Sequence, residues 1–165
     1  MKKLIAVAGL VLLVGCQAPP ADMTEAEIAQ IEAEVMEASD YLIDGWNAHD
    51  AETFLTMFHP TKVSHAWGGR VWTNHSELSE EWVSVMETTD SVKISWTDRN
   101  VRVLTDQTAM FQGSTELTIY YTDGRIVRYP GTAHWTGLFE PSEAGWKMTT
   151  SAYTFGGAQR LDQEG

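Results

Sequence analysis

A single cysteine, Cys16, stands in 165 residues, so no disulfide can form within the chain. Basic residues are scarce, with 11 Lys and Arg against 23 Asp and Glu and a net charge of −12. Such a surface repels phosphate backbones and anionic headgroups, which excludes nucleic acid as a partner. The plain reading of the acidity is solubility. Metal-ligand spacing is missing too. His49, His59, His65 and His75 follow one another at intervals of ten, six and ten, with no HxH pair and no His at i and i+4. There is no GxSxG elbow and no Gly-rich phosphate loop, since Gly68-Gly69-Arg70 is too short to be one. No metal and no cofactor is expected.

Long apolar runs are equally absent. Leu4 to Val14 is almost wholly apolar but only eleven residues long, short of the roughly 20 needed to cross a bilayer. It follows Lys2-Lys3 and precedes Gly15-Cys16, the order of a secretory signal. Leu13-Val14-Gly15-Cys16 resembles the bacterial lipobox. That resemblance implies cleavage after residue 15, acylation of Cys16 and a lipid bilayer as partner. Two or more acyl chains hold firmly, at about 0.8 kcal/mol per buried methylene. The expected location is the cell envelope, lipid-anchored and extracytoplasmic. Gln17 after the cysteine, in place of Asp, favours the outer membrane where the host has two. Residues 16–24 then read as the acylated cysteine and a Pro-containing tether.

From Thr24 the pattern turns helical. Thr24 and Glu27 form a capping box, and Ile28, Ile31, Val35, Ala38, Leu42 and Trp46 recur with period 3.6. Glu25, Glu32, Glu34 and Asp40 on the other face read as solvated. Asn47-Ala48-His49 breaks this helix, and Asp50 caps a short second one with Phe54, Leu55 and Phe58, ended by Pro60. Val63 to Trp67 alternates like a strand and turns at Gly68-Gly69. Asn74 and Glu77 open a third helix with Leu78, Trp82, Val85 and Met86 on one face. Beyond Ser91 the period becomes 2. The apolar face switches from even positions (Val92, Ile94, Trp96) to odd ones (Val101, Val103), as a β-bulge near Asp98-Arg99-Asn100 requires. Asp123-Gly124 suits a two-residue type I′ hairpin turn. Strands are expected over Arg125 to Phe139 and Trp146 to Phe155, and residues 156–165 read as a frayed polar tail. Helices followed by consecutive strands predict an α+β fold: a cone-shaped, curved antiparallel sheet on three N-terminal helices.

Glu25 to Phe155 resembles the SnoaL-like group of the nuclear transport factor 2-like superfamily. The carriers are Gly45-Trp46-Asn47-Ala48-His49-Asp50, Phe54 and Phe58, Val63, the Gly68-Gly69 turn, Ala109, and Gly145-Trp146-Lys147-Met148. The resemblance implies a cone with a pocket between helices and sheet, and a homodimer formed through the sheet. That superfamily hosts isomerases, cyclases, hydrolases and non-catalytic binders, so the fold leaves function open.

The resemblance also brings His65 forward. In members similar to ketosteroid isomerase the comparable position holds the proton-moving aspartate, and an imidazole titrating near 6.5 suits acid/base work. The isomerase's helix tyrosine matches Leu42 here, with Tyr41 about 100° away around the helix. His134 lies among polar even positions of its strand, opposite the face of Ala133, Trp135 and Phe139, and either face can line the hollow. Tyr120, Glu116 and Arg128 share that ambiguity. Seven tryptophans are many for this length; Trp46, Trp67, Trp82 and Trp135 are expected to wall a pocket for a small apolar ligand, or to pack as core. Three readings follow: a tethered binding or self-associating module, a cofactor-independent enzyme of isomerase, dehydratase or hydrolase type using His65, and a purely structural domain whose hollow its own tryptophans fill.

Overall fold

The computed structural model describes residues 22–161. The lipobox resemblance, Cys16 and residues 162–165 of the expected tail lie outside them. Helix α1 (Glu25–Ala48) starts at the expected capping box, with Thr24 and Glu27 bonded reciprocally. Its inner stripe, Val35, Ala38, Leu42 and Trp46, is buried. Two of the acids expected to be solvated hold partners. Glu34 accepts the Trp146 indole N–H at 3.0 Å, and Asp40 pairs with Arg99. The helix ends where His49 takes a left-handed conformation (φ 56°).

Helix α2 (Ala51–Leu55) follows, capped by Asp50 as expected. It approaches α1 so closely that a Cβ on Gly45 would lie 2.4 Å from the Phe54 nitrogen, which is why glycine occupies that turn. Strand β1 (Ser64–Trp67) turns at Gly68-Gly69, both at positive φ, into β2 (Arg70–Trp72). Three residues are too few to show a period, and β2 escapes the sequence. Helix α3 (His75–Glu87), capped by Asn74, buries Leu78, Trp82 and Met86.

Long strands follow: β3 (Thr89–Thr105), β4 (Thr108–Tyr121), β5 (Ile126–Ser142) and β6 (Gly145–Phe155). Together with β7 (Gln159–Leu161) they make one open seven-stranded sheet in the order β2-β1-β6-β5-β4-β3, with β7 beside β5. Pairing is antiparallel except between β1 and β6, which run parallel. The curved α+β architecture matches expectation, and the register shifts between Trp96 and Asp98, at the expected bulge. Gln159–Leu161 pairs with Ile126–Arg128, so that part of the chain adds a strand where a frayed tail is expected.

The β4–β5 hairpin differs in its turn. Gly124 N–H donates to the Tyr121 carbonyl at 2.9 Å and Tyr121 N–H to the Arg125 carbonyl at 2.9 Å. Among the described non-glycine residues only His49 has positive φ, whereas a type I′ turn needs it at Asp123 as well. The loop is therefore the three-residue kind, with Gly124 (φ 85°) in the left-handed position. Asp123 stabilises it by accepting from the Arg125 backbone N–H at 3.0 Å.

Asn47 fixes helix to sheet. Its side-chain amide donates to the Ile94 carbonyl at 3.0 Å and accepts from the Ile94 N–H at 2.9 Å, pairing with the edge strand β3 as another strand would. Arg99 reaches back to α1, where Asp40 pairs with it and Ser39 Oγ accepts at 3.3 Å.

Candidate functional site

The inner face of the sheet is set by the odd positions of β4 and β5: Phe111, Thr115, Leu117, Ala133, Trp135 and Phe139 are all buried. On β1 the inward residues are His65 and Trp67. His65 is fully buried. Strand order puts β2 on one side of it and β6 then β5 on the other, so its ring lies near-parallel to Trp72 (5.9 Å, 26°) and Trp135 (5.3 Å, 17°). Phe58 meets it edge-on at 5.4 Å and Trp82 stands at 6.1 Å. Trp46 and Phe54 complete the aromatic wall, 5.0 and 4.4 Å from Trp82.

Inside this wall His65 has one polar contact. Its Nδ1 lies 2.8 Å from Ser151 Oγ, on the neighbouring parallel strand. Nε2 is buried with no hydrogen-bond partner, as are the indole nitrogens of Trp46 and Trp82. Desolvation in the apolar wall pushes the imidazole pKa down to about 4, so the ring is neutral at pH 7. An unpaired buried polar nitrogen costs about 1–3 kcal/mol, so such a group in a folded protein calls for a physical reason, a catalytic role among them.

Of the other expected pocket residues, Trp82 and Trp135 neighbour His65, while Trp46 and Trp67 pack on Trp82. Tyr120 and His134 are not with them. Both sit on the outer sheet face, because the odd positions of β4 and β5 point inward. His134 is exposed and bonded to Ser114 Oγ at 3.0 Å. Tyr120 borders a shallow outer hollow with Lys93, Glu116 and Arg128. Glu116 and Arg128 form an ion pair there. Tyr41 is exposed, with the Lys147 ammonium 5.4 Å from its ring centre, while Leu42 is buried.

Sequence reading missed Ser151 and Trp72, the two residues that fix and flank the imidazole. It missed Tyr153 as well, whose phenol is buried 3.2 Å from Thr115 Oγ and held above its usual pKa by desolvation. Beside them an open hollow of about 580 Å³ is lined by Trp67, Gly68, Gly69, Arg70, Tyr153 and Phe155, among others. Among the described residues no group of three His, Cys, Asp or Glu is placed to hold a metal, and no helix is long and apolar enough to cross a membrane.

No curated protein matches the chain by sequence. Several solved structures share its fold. A nuclear transport factor 2-like superfamily protein from Salmonella enterica is similar at 13% identity, with 83% of this chain and 98% of that one covered and a TM-score of 0.70. A hexachlorocyclohexane dehydrochlorinase, LinA type 2, gives 9% identity over 79% and 88%, with a TM-score of 0.69. LinA-type3 from Novosphingobium barchaimii gives 10% over 79% and 90%, with a TM-score of 0.67. At such identities the likeness is one of fold alone. The family model of the SnoaL-like domain matches residues 35–154, most of the chain, and the protein belongs to the SnoaL-like family.

Proposed function

We propose that this SnoaL-like domain is a lipid-tethered envelope protein that binds a small, mostly apolar molecule at the aromatic cluster around His65. One observation carries the binding reading: a neutral, fully buried imidazole keeps its Nε2 unpaired inside a wall of indole and phenyl rings. Pockets for small molecules are mostly apolar with one or two placed polar groups. The ligand class is therefore uncharged, flat or cyclic, with a single group that hydrogen-bonds to Nε2. The tether rests on Lys2-Lys3, the apolar run and Leu13 to Cys16. It places the domain outside the cytoplasm, at the outer membrane where the host has two. A homodimer through the outer sheet face is the assembly that the family resemblance suggests.

A second reading has His65 act as acid/base in an isomerase, dehydratase or hydrolase-type reaction. The neutral ring with one free nitrogen supports it, and the dehydrochlorinases above share the fold. Efficient general-base catalysis also needs a group that stabilises the imidazolium. Among the described residues the only polar side chain bonded to His65 is Ser151.

Native mass spectrometry of the mature domain tests the proposal by reading co-purified ligand and subunit number together. A bound small molecule that His65→Phe releases supports binding. A spectrum empty of ligand, with added phenol also failing to bind, supports a domain whose interior is filled only by its own rings.

A further inference from the structure

The outer hollow bordered by Tyr120 has a volume of about 450 Å³ and lies where β3, β4, β5 and β7 meet. Strand register sets its floor. Lys93 on β3 is paired with Thr118 on β4, and Thr118 with Arg128 on β5, so two cations flank one threonine. Neighbouring strands stand about 4.8 Å apart, and both side chains are long enough to reach over Thr118. Tyr120 lies two residues further along β4, on the same face. Leu161 of β7, 40% exposed, adds an apolar rim.

Charge here runs against the rest of the chain. The lining holds two cations, Lys93 and Arg128, and one carboxylate, Glu116, which leaves one positive charge on a protein of net charge −12. Arg128 pairs with Glu116. A guanidinium has five N–H donors, so that pair leaves Arg128 with donors to spare. Among the described residues no carboxylate pairs with Lys93, whose ammonium stands 5.4 Å from the centre of the Tyr120 ring. Ser95 and Thr118 add hydroxyl groups to the same lining.

From this arrangement we propose that the outer hollow is a second binding site, for a small carboxylate with a flat apolar body. The carboxylate sits between Lys93 and Arg128 over the Thr118 hydroxyl, and the body lies against Leu161 and the edge of the Tyr120 ring. One net positive charge matches a monoanion, while Glu116 repels a dianion such as phosphate. The site stands apart from the cluster around His65, which lies on the inner face of the sheet. Ser114 and His134, elsewhere on the outer face, lie outside its lining and leave that area to a partner subunit.

Benzoate is the probe, with benzamide as its uncharged counterpart and inorganic phosphate as the dianion. Backbone amide resonances of the mature domain are followed through each titration at low salt. Benzoate is expected to shift Lys93, Thr118 and Arg128 saturably, and added salt to weaken it by screening. Lys93→Gln is expected to lower benzoate affinity about five- to tenfold, as the loss of one charged partner predicts. Lys93 is exposed and carries no ion pair, so the variant keeps its fold; Arg128→Gln repeats the test from the other side of Thr118. Lys62→Gln removes the same charge from a distant surface position and is expected to leave binding unchanged. The site is overturned by the absence of a saturable benzoate shift, by equal shifts from benzamide, or by phosphate binding as tightly as benzoate. Equal weakening in Lys62→Gln, or shifts centred on His65 instead of Lys93, overturns it as well.

Discussion

His65 Nδ1 and Ser151 Oγ lie 2.8 Å apart across the parallel pairing of β1 with β6, and this bond fixes the imidazole so that only Nε2 faces the aromatic wall. Whichever tautomer the ring adopts, the second nitrogen retains one unused hydrogen-bonding valence. The bond itself is buried. Ser151→Ala is expected to destabilise the domain by about 1–3 kcal/mol, since it leaves Nδ1 unpaired. Urea denaturation checks this; a loss below the measurement error would show that the hydroxyl does not orient the ring.

Burial of His65 also gives stability a pH dependence. The folded-state pKa of about 4 lies below the ordinary 6.5, so the unfolded chain binds the extra proton between those values. Stability is full above pH 6.5, falls on acidification through the window and levels off below 4. The size is about 3 kcal/mol at most. Carboxylates titrate at the acid end, so the useful quantity is the difference between wild type and His65→Gln, which lacks this slope. Parallel curves for the two proteins from pH 7 to 4 would refute a buried neutral imidazole.

Asn47 is expected to matter more than its exposed position at the helix end suggests, because it satisfies both backbone groups of Ile94. Asn47→Ala removes two hydrogen bonds, at about 1 kcal/mol each. Asn47→Asp keeps an acceptor for the Ile94 N–H but loses the donor to its carbonyl, and is expected to be the milder change at that amide. Hydrogen exchange at Ile94 separates the two variants; equal protection in both would contradict this pairing.

Gly45→Ala forces a methyl group against the α2 backbone, 2.4 Å from the Phe54 nitrogen. The helices must separate, at about 1–3 kcal/mol. Phe54 packs on Trp82 and Trp46, so the same change is expected to loosen this aromatic cluster and alter tryptophan emission. An unchanged melting temperature would mean that the two helices do not meet this closely.

Local signals made much of this legible in the sequence. The Thr24–Glu27 capping box, the Asp50 and Asn74 caps, the 3.6 period of α1 and the change of parity before Val101 are each written within a few residues. What escaped depends on distant partners. Ser151 is 86 residues from His65, and nothing near either residue announces a parallel pairing of β1 with β6. The inward face of β5 is open in the sequence because His134 and Trp135 are adjacent and both suit a pocket; packing of Trp135 against Phe54 and Tyr153 decides it. Asp-Gly marks both the type I′ turn and the three-residue loop, and the Asp123–Arg125 contact selects the second.

The proposed lipid tether has its own test. Cys16→Ser is expected to abolish labelling of the protein by a fatty-acid probe and to release it from the membrane fraction, because the proposal puts the anchor on that one thiol. Labelling and fractionation equal to wild type would rule out acylation at that residue.

The most direct measurement is the ¹⁵N resonance of the His65 ring while phenol, a small flat molecule with one hydroxyl, is added to the mature domain. A saturable shift at Nε2 with Nδ1 nearly still, lost in Trp82→Ala, is the expected result. A ring whose two nitrogens ignore phenol up to its solubility, in a domain that remains folded, would contradict the aromatic cluster as a binding site.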